Sequence, residues 1–460
     1  MNFTAAVQRQ RAFFRTGATR PIGFRRAQLE KMSSALARGE AGLLAALQAD
    51  LRKSPGQAYT SEIGLLQAEI RCALKNLARW MAPTRGKTPW LVAPARGQVQ
   101  REPYGVTLIL GPWNYPVQLL LTPLVSAITA GNCAVLKPSE LAPRTAEAIA
   151  ALVRETFAEE YISVATGGAD VAEALLRERF DKIFFTGSTR VGRAVMTAVA
   201  QQLTPVTLEL GGKCPAIVCG DAPMELAARR IAWGKFMNAG QTCVAPDFAL
   251  VHRGVREAFV AALKQALLAF YGESARRSAD YGRIVNARHF DRLVNYLRDG
   301  KIVHGGQFDA KELFLEPTIM VDVPPGAPVM QEEIFGPILP VLEFDQLDDA
   351  LGFLRERPTP LALYIFTRNR ATETRVLAET RSGGVCVNDA VSHMIGTGLP
   401  FGGLGESGMG AYHGRAGFDA FTHQRAVLRR ATWLDTPFRY PPQKLSLAGL
   451  KRAFRFLMGN

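Results

Sequence analysis

The sequence predicts an α/β protein of two or three lobes built on parallel sheets, and three observations predict it. Short apolar runs rich in β-formers alternate with helical patterns from residue 106 to about 210, the signature of a parallel sheet with crossover helices. One run, Lys182-Ile183-Phe184-Phe185-Thr186, leads directly into Gly187-Ser188-Thr189-Arg190-Val191-Gly192, a strand–glycine–helix passage. The alternation then repeats more loosely from Glu209 to about Asn388. A chain of 460 residues also exceeds one ordinary domain.

Taken in order, residues 24–80 place apolar side chains at helical spacing (Leu29, Met32, Leu36, then Leu43, Leu44, Leu47). Pro55-Gly56 is expected to separate helices, and Pro83, Gly86, Pro89 and Pro94 to end the region. Residues 90–103 read as extended and partly exposed. Val106-Thr107-Leu108-Ile109-Leu110 is a buried strand and 117–130 a helix. Ala134-Val135-Leu136 is a strand leading to Lys137-Pro138-Ser139-Glu140. A helix over 144–155, a strand over 161–165 and a further helix precede the strand at 182–186, whose helix should start near Arg193. A glycine-rich tract over 402–417 and the strand-like Ala426-Val427-Leu428 close the fold. No tandem repeat or low-complexity segment interrupts it.

Composition narrows the function classes. Hydrophobic residues make up 48% of the chain and the mean hydropathy is near zero, which fits a soluble globular protein with a filled core. The longest apolar run, 119–136, is broken by Pro123, Gly131 and Asn132, so no span is expected. The first 29 residues carry arginines and no acid but no apolar secretory core follows, so they read as part of the folded protein and the location as cytoplasmic. The net charge of +14 is spread along the chain without zinc-finger spacing or an RNA-binding signature, so nucleic acid is not expected as partner. A dinucleotide, a charged substrate or a membrane surface accounts for it as well. Six cysteines without a Cys-x-x-Cys pair and six scattered histidines predict reduced thiols and no metal.

The chemistry centres on Phe236-Met237-Asn238-Ala239-Gly240-Gln241-Thr242-Cys243-Val244-Ala245-Pro246-Asp247. Small polar residues and a nearby proline make this a loop that presents Cys243. A lone loop thiol is more often inert and buried. Glu209 in Thr207-Leu208-Glu209-Leu210-Gly211-Gly212-Lys213, and Asn114 in Gly111-Pro112-Trp113-Asn114-Tyr115-Pro116, change that reading. Thiol, carboxylate and amide are the parts of acyl chemistry: nucleophile, water-activating base and oxyanion donor. The turn at 187–192 can bring backbone N–H groups up to a phosphate. Gly403-Leu404-Gly405-Glu406-Ser407-Gly408 matches the dinucleotide regular expression better, but no strand of a strand–helix–strand unit precedes it, so it is rejected.

These motifs, in this order, resemble those of the aldehyde dehydrogenases, and of the class 3 branch in particular. The branch is marked by Cys243-Val244-Ala245-Pro246-Asp247, by Leu399-Pro400-Phe401-Gly402-Gly403, and by Ser407-Gly408-Met409-Gly410-Ala411-Tyr412-His413-Gly414. The resemblance runs from about Phe13 to about Pro442. It implies a Rossmann-type cofactor domain (1–82 and 104–208), an α/β catalytic domain (209–391), a small β bridging arm that joins subunits (83–103 and 392–435) and a tail (436–460). It implies Cys243, Glu209 and Asn114 as the catalytic set. Cofactor contacts would come from Trp113, Lys137, Glu140, Gly187, Ser188, Thr189, Arg190, Val191, Gly192, Leu210, Gly211, Glu333 and Phe335, with Tyr115 at the substrate.

The implied reaction oxidises an aldehyde, aromatic or medium- to long-chain, to the acid with NAD; NADP stays open, although Glu140 would repel a 2′-phosphate. Glu333 stays open as a competitor of Glu209 for the role of base. A homodimer is expected. A non-catalytic or membrane-surface protein on the same fold is the alternative. The tail, on a helix, gathers Leu447, Leu450, Phe454, Leu457 and Met458 on one side, with Lys451, Arg452 and Arg455 flanking them. It is too short and charged to span a bilayer, and is expected either to pack on the protein or to lie on an anionic membrane.

Overall fold

A computed structural model describes residues 3–435, 440–442 and 445–458; the tail residues 436–439, 443–444 and 459–460 lie outside the described residues. The first sheet has six strands in the order Gly408–Met409, Val206–Glu209, Lys182–Thr186, Val106–Leu110, Cys133–Lys137, Ile162–Val164. Its ladder is parallel except at the antiparallel edge, Gly408–Met409. Strands 106–110, 133–137 and 182–186 are buried at every residue, which is why they appear as uninterrupted apolar runs rather than alternating ones. Helices Gln118–Ala130 and Pro143–Thr156 pack on this sheet, and helices Ile22–Leu51 and Gly64–Met81 pack on those two and on each other.

The second sheet has seven strands in the order Lys301–His304, Thr318–Val321, Ile338–Phe344, Phe248–His252, Pro215–Val218, Ala362–Phe366, Gly384–Val387. It too is parallel except for one antiparallel edge, 301–304. A separate antiparallel sheet joins Thr84–Gly86, Ala95–Pro103 and Thr422–Arg430.

The helix break expected at Pro55-Gly56 is present: helix Ile22–Leu51 ends before it, and Pro55 takes the first position of the next helix, Pro55–Ala58, where its missing N–H costs nothing and Ser54 caps by accepting the Gln57 N–H. Three local expectations need correction. The helix after Gly187 begins at Thr189, four residues before the expected start. Ser188 is its N-cap, and the β-branched Thr189 and Val191 disguise the first turn. The last strand is longer than Ala426-Val427-Leu428 because it pairs residue for residue with the whole of 95–103. Residues 90–92 form a 3₁₀ turn, so the extended segment starts only at Ala95.

The tail does form a helix, Leu447–Leu457, capped by Ser446. Its five expected apolar positions do not share one covered face. Leu450 and Leu457 are half-buried, whereas Leu447, Phe454 and Met458 are exposed. Among the described residues no helix is long and apolar enough to cross a membrane.

Candidate active site

Cys243 lies between the 3₁₀ turn Met237–Gly240 and strand Phe248–His252, in the irregular stretch that the small polar residues predict. Three successive residues there, Asn238, Ala239 and Gly240, have left-handed backbone at φ 52°, 51° and 75°. For Asn238 and Ala239 that costs on the order of 1–2 kcal/mol each, so the surroundings must hold it. Asn238 Nδ2 donates to the backbone oxygens of Asn114 (3.0 Å) and Gln241 (3.2 Å). A Cβ on Gly240 would lie 2.2 Å from the Gly336 carbonyl oxygen, so only glycine lets the loop pack there. Cys214 donates its thiol to the Cys243 carbonyl at 3.4 Å, and the Tyr364 hydroxyl donates to that of Val244. The thiol-bearing residue is thus pinned by its carbonyls, leaving its side chain half-buried.

Asn114 and Tyr115 follow strand Val106–Leu110 and reach the same loop. Asn114 Nδ2 donates one proton to the Gln241 carbonyl at 3.0 Å, which leaves its second N–H available. The Tyr115 hydroxyl and Thr242 Oγ1 are 2.7 Å apart. Lys53 underlies both: Nζ donates to the Asn114 carbonyl at 2.8 Å, sits 3.9 Å from the Tyr115 ring centre, and pairs with Glu62 at 2.6 Å.

Glu209 ends strand Val206–Glu209 and is 2% exposed. Neither of its carboxylate oxygens has a hydrogen-bond partner among the described residues. Burial pushes its carboxyl well above the usual range. The rejected glycine tract has a use here. Gly408 pairs with Glu209 in the antiparallel edge, Leu210 N–H donates to Ser407 O at 3.0 Å, and the tract thereby fixes the strand end that carries the carboxylate.

Glu333 reaches the site from the segment that follows helix Pro328–Gln331. Its carboxylate fills the space beside Gly211, where a Cβ would lie 1.9 Å from Oε2. Burial, then Asp247, raises it to about 8. Phe335, with φ 48°, stacks edge-on to Trp113 at 5.4 Å. Burial, then Glu333 and Glu209, pushes the Cys243 thiol up, and only the N–H groups of Cys243 and Val244 oppose this. The Cys243 thiol is therefore near enough to both carboxylates to feel their charge.

The remaining expected residues stand apart from these three groups. Lys137 Nζ bonds Glu140 at 2.6 Å, past the end of strand Cys133–Lys137. Gly187 bridges strand and helix, with Ser188, Arg190 and Val191 exposed, Thr189 half-buried and Gly192 buried. Thr189 Oγ1 donates to the Glu406 carbonyl at 3.0 Å.

Sequence reasoning missed Lys53 and Glu62, the buried Lys235, and Arg292, which donates to the carbonyls of Glu333 (3.2 Å) and Ile334 (2.8 Å). Lys53 sits in a charged stretch that reads as surface, and nothing in one sequence marks it. Asp247 and Lys213 stand in the sequence motifs without an expected role. They pair with each other. Asp247 also accepts the Ile334 N–H at 2.9 Å, while Lys213 donates to the carbonyls of Val329 and Glu332.

Residues 1–427 match the model of the aldehyde dehydrogenase family. The chain belongs to that family. Within it, the enzyme stands in the class 3 branch. It is 45% identical over 450 residues to mouse "Aldehyde dehydrogenase family 3 member A2", covering 97% of this chain and 93% of that one. It is 44% identical over 443 residues to mouse "Aldehyde dehydrogenase, dimeric NADP-preferring", covering 96% and 98%. Among solved structures it is similar to the "Substrate bound state of Staphylococcus Aureus AldH", with a TM-score of 0.96, 44% identity, and coverage of 99% and 100%. The aldehyde dehydrogenase is NAD(P)-dependent and oxidises aldehydes to carboxylic acids.

The residues present fit that cofactor. The helix that Ser188 caps opens at the carboxyl end of the first sheet, where open α/β sheets take ligands. Thr186 Oγ1, at the end of the strand before it, is buried without a partner among the described residues.

Proposed function

We propose that Cys243 is the nucleophile, Glu209 the base for hydrolysis and Asn114 the oxyanion donor of this aldehyde dehydrogenase. The observation that supports it best is Glu209, a buried carboxylate whose two oxygens have no hydrogen-bond partner among the described residues and whose charge is felt by the Cys243 thiol. The sulfur adds to the aldehyde carbon, forming a C–S bond and breaking the C=O π bond, while the thiol proton passes to water. The free N–H of Asn114, with a backbone N–H of the loop, holds the resulting oxyanion; one such donor is worth roughly 100- to 1000-fold in rate. NAD(P), when bound, supplies the hydride acceptor. Loss of hydride from the carbon restores C=O as a thioester on Cys243. Glu209 then takes a proton from water as the water oxygen attacks, and the C–S bond breaks to give the acid and the free thiolate. Such base catalysis contributes roughly 100- to 10,000-fold. A carboxylate at this position supports hydrolysis over transfer to another acyl acceptor.

In this reading Glu333 and Phe335 hold the nicotinamide ribose and ring, Trp113, Leu210 and Gly211 line the same end, the turn 187–192 takes the pyrophosphate, and Lys137 and Glu140 take the adenosine ribose. The pairing of Glu140 with Lys137 offsets its repulsion of a 2′-phosphate. NAD is the proposed preference and NADP a usable second cofactor; kcat/KM for the two decides. The proposed substrates are aromatic and medium- to long-chain aldehydes, with Tyr115 beside them. A steady-state screen of aliphatic chain lengths against benzaldehyde-type and cinnamyl-type aldehydes tests this.

The proposed assembly is a cytoplasmic homodimer joined through the arm, whose edge strand Thr84–Gly86 is exposed at all its residues. The tail helix packs on the arm's Trp90–Val92 turn. Its exposed side is covered by the partner subunit in this reading, and by an anionic membrane surface in the alternative.

A further inference from the structure

Phe335 has a left-handed backbone, φ 48°, which a residue with a Cβ keeps only where its neighbours hold it there. Two peptide planes flank Ile334. The first, from Glu333 to Ile334, is held twice: its carbonyl accepts from Arg292 Nη1 at 3.2 Å, and its N–H donates to Asp247 Oδ1 at 2.9 Å. The second plane, from Ile334 to Phe335, is the one whose orientation sets the φ of Phe335. Among the described residues it carries one hydrogen bond, from Arg292 Nη2 to the Ile334 carbonyl at 2.8 Å.

Arg292 is itself fixed. It belongs to helix Ala287–Tyr296, donates to the Tyr296 hydroxyl at 3.2 Å and lies 5.4 Å from the centre of that ring. The same helix frames the segment at two more points. Leu293 occupies the space that a Cβ on Gly336 would need, 2.3 Å away. The His289 ring lies 5.6 Å from Trp113, whose ring in turn meets Phe335 at 5.4 Å. A guanidinium is a planar fork with donors in fixed directions, so one side chain can hold two carbonyls at once. We infer that Arg292 is a positioning residue of the cofactor site: its two bonds hold Phe335 in the left-handed conformation that sets its ring against Trp113, and so fix the fit of the nicotinamide. This rests on the reading of Glu333 and Phe335 as the contacts of the nicotinamide ribose and ring.

The test compares the full chain with Arg292→Met, Arg292→Lys and Phe335→Ala. Three quantities are read: the stopped-flow burst of NADH, KM for NAD, and hydrolysis of p-nitrophenyl acetate without NAD. Arg292→Met should raise KM for NAD and slow the burst about 10- to 100-fold, as a misplacement of roughly 1 Å does. Ester hydrolysis should stay near the parent rate, because it needs the thiol and not the nicotinamide. Arg292→Lys should recover part of the burst, since an ammonium is a point charge that can keep one carbonyl but lacks the fork. An Arg292→Met chain with the parent's burst and KM overturns the proposal. Ester hydrolysis lost in step with the burst makes the residue structural and overturns it as well, as does loss of folding in both Arg292 variants. If only Arg292→Met fails to fold, Arg292→Lys decides: a burst at the parent rate overturns the proposal, and a slowed burst with intact ester hydrolysis supports it. A Phe335→Ala chain with the parent's burst and KM removes the reading of Phe335 instead, and that failure is read with Arg292 in place.

Discussion

Lys53 Nζ lies 2.6 Å from Glu62 Oε1 and 2.8 Å from the backbone oxygen of Asn114, and the side chains of the ion pair are at most 1% exposed. Glu62 uses its other oxygen to accept the Val117 N–H at 2.8 Å and the Gln118 N–H at 3.3 Å, at the start of helix Gln118–Ala130. One buried pair therefore ties the Asn114 carbonyl, the Tyr115 ring and a helix N-terminus together. Removing one partner of a buried pair costs about 3–5 kcal/mol, because the other is left charged and alone. Lys53→Met should lower the stability measured by urea unfolding by that amount, and the surviving enzyme should lose kcat more than affinity for NAD. A Lys53→Met chain with unchanged stability would show that the pair is not the brace described.

For the nucleophile, Cys243→Ala should abolish aldehyde oxidation and ester hydrolysis together while leaving the NAD dissociation constant within a few fold. The other thiols offer no substitute: Cys133, Cys214, Cys219 and Cys386 are buried, and half-buried Cys72 lies in helix Gly64–Met81, outside the catalytic loop. Retained turnover in the Cys243→Ala protein would move the assignment elsewhere.

The two carboxylates separate in stopped-flow experiments. Glu209→Gln should give a burst of NADH and then stall as the thioester, since only the water step needs its base. Glu333→Gln should slow the burst itself. A burst that survives in the Glu333 variant and vanishes in the Glu209 variant would exchange the roles.

How much of this was legible depends on the range of the interactions. Cys243, Glu209 and Asn114 stand in short motifs whose residue types carry the chemistry, and strands such as 106–110 announce themselves by five successive apolar-compatible residues. Lys53, Lys235 and Arg292 do not. Their surroundings come from distant segments, as in the Lys53–Asn114 bond across 61 residues and the Arg292–Glu333 bond across 41, and a lysine bound for the interior looks in one sequence like a lysine on the surface. The glycine tract over 403–408 shows the converse. Its pattern lacks a preceding strand, and its last glycine opens the edge strand Gly408–Met409 against Glu209, a pairing that local sequence cannot express.

The buried acids also predict how stability varies with pH in the cofactor-free protein. Glu333 is raised to about 8 and Glu69 to about 7, so between pH 6.5 and 8 the folded state holds protons that the unfolded chain has released. Stability then falls as pH rises, by up to about 1.4 kcal/mol per unit for each proton retained. His393 and His413, lowered to about 4, act oppositely, but only below about pH 6.5, where the unfolded histidines charge. Melting temperatures should decline from pH 6.5 to 8, and the decline should be shallower in Glu333→Gln. A flat profile in the parent chain would mean that these carboxyls are ionised throughout.

The tail provides the last test. Helix Leu447–Leu457 turns Leu450 and Leu457 toward the arm but leaves Leu447 (68% exposed), Phe454 (52%) and Phe456 (82%) uncovered. Trp90 (75%) and Trp433 (78%) are equally bare nearby in the arm and the segment after it. Lys451, Arg452 and Arg455 lie on the same helix with no acid among residues 445–458. A second subunit would bury the apolar side chains and leave the basic ones at the rim. An anionic bilayer would take both, each basic residue near the surface adding about 1 kcal/mol. Comparing the full chain with one ending at Gln443 separates the two. With the dimer as cover, light scattering of the shortened chain should shift toward the monomer mass at micromolar concentration, and both chains should pellet equally with phosphatidylserine vesicles. Salt-sensitive pelleting that disappears with the tail, at an unchanged dimer mass, would instead make the helix a membrane contact and bring the active site to lipid-borne aldehydes.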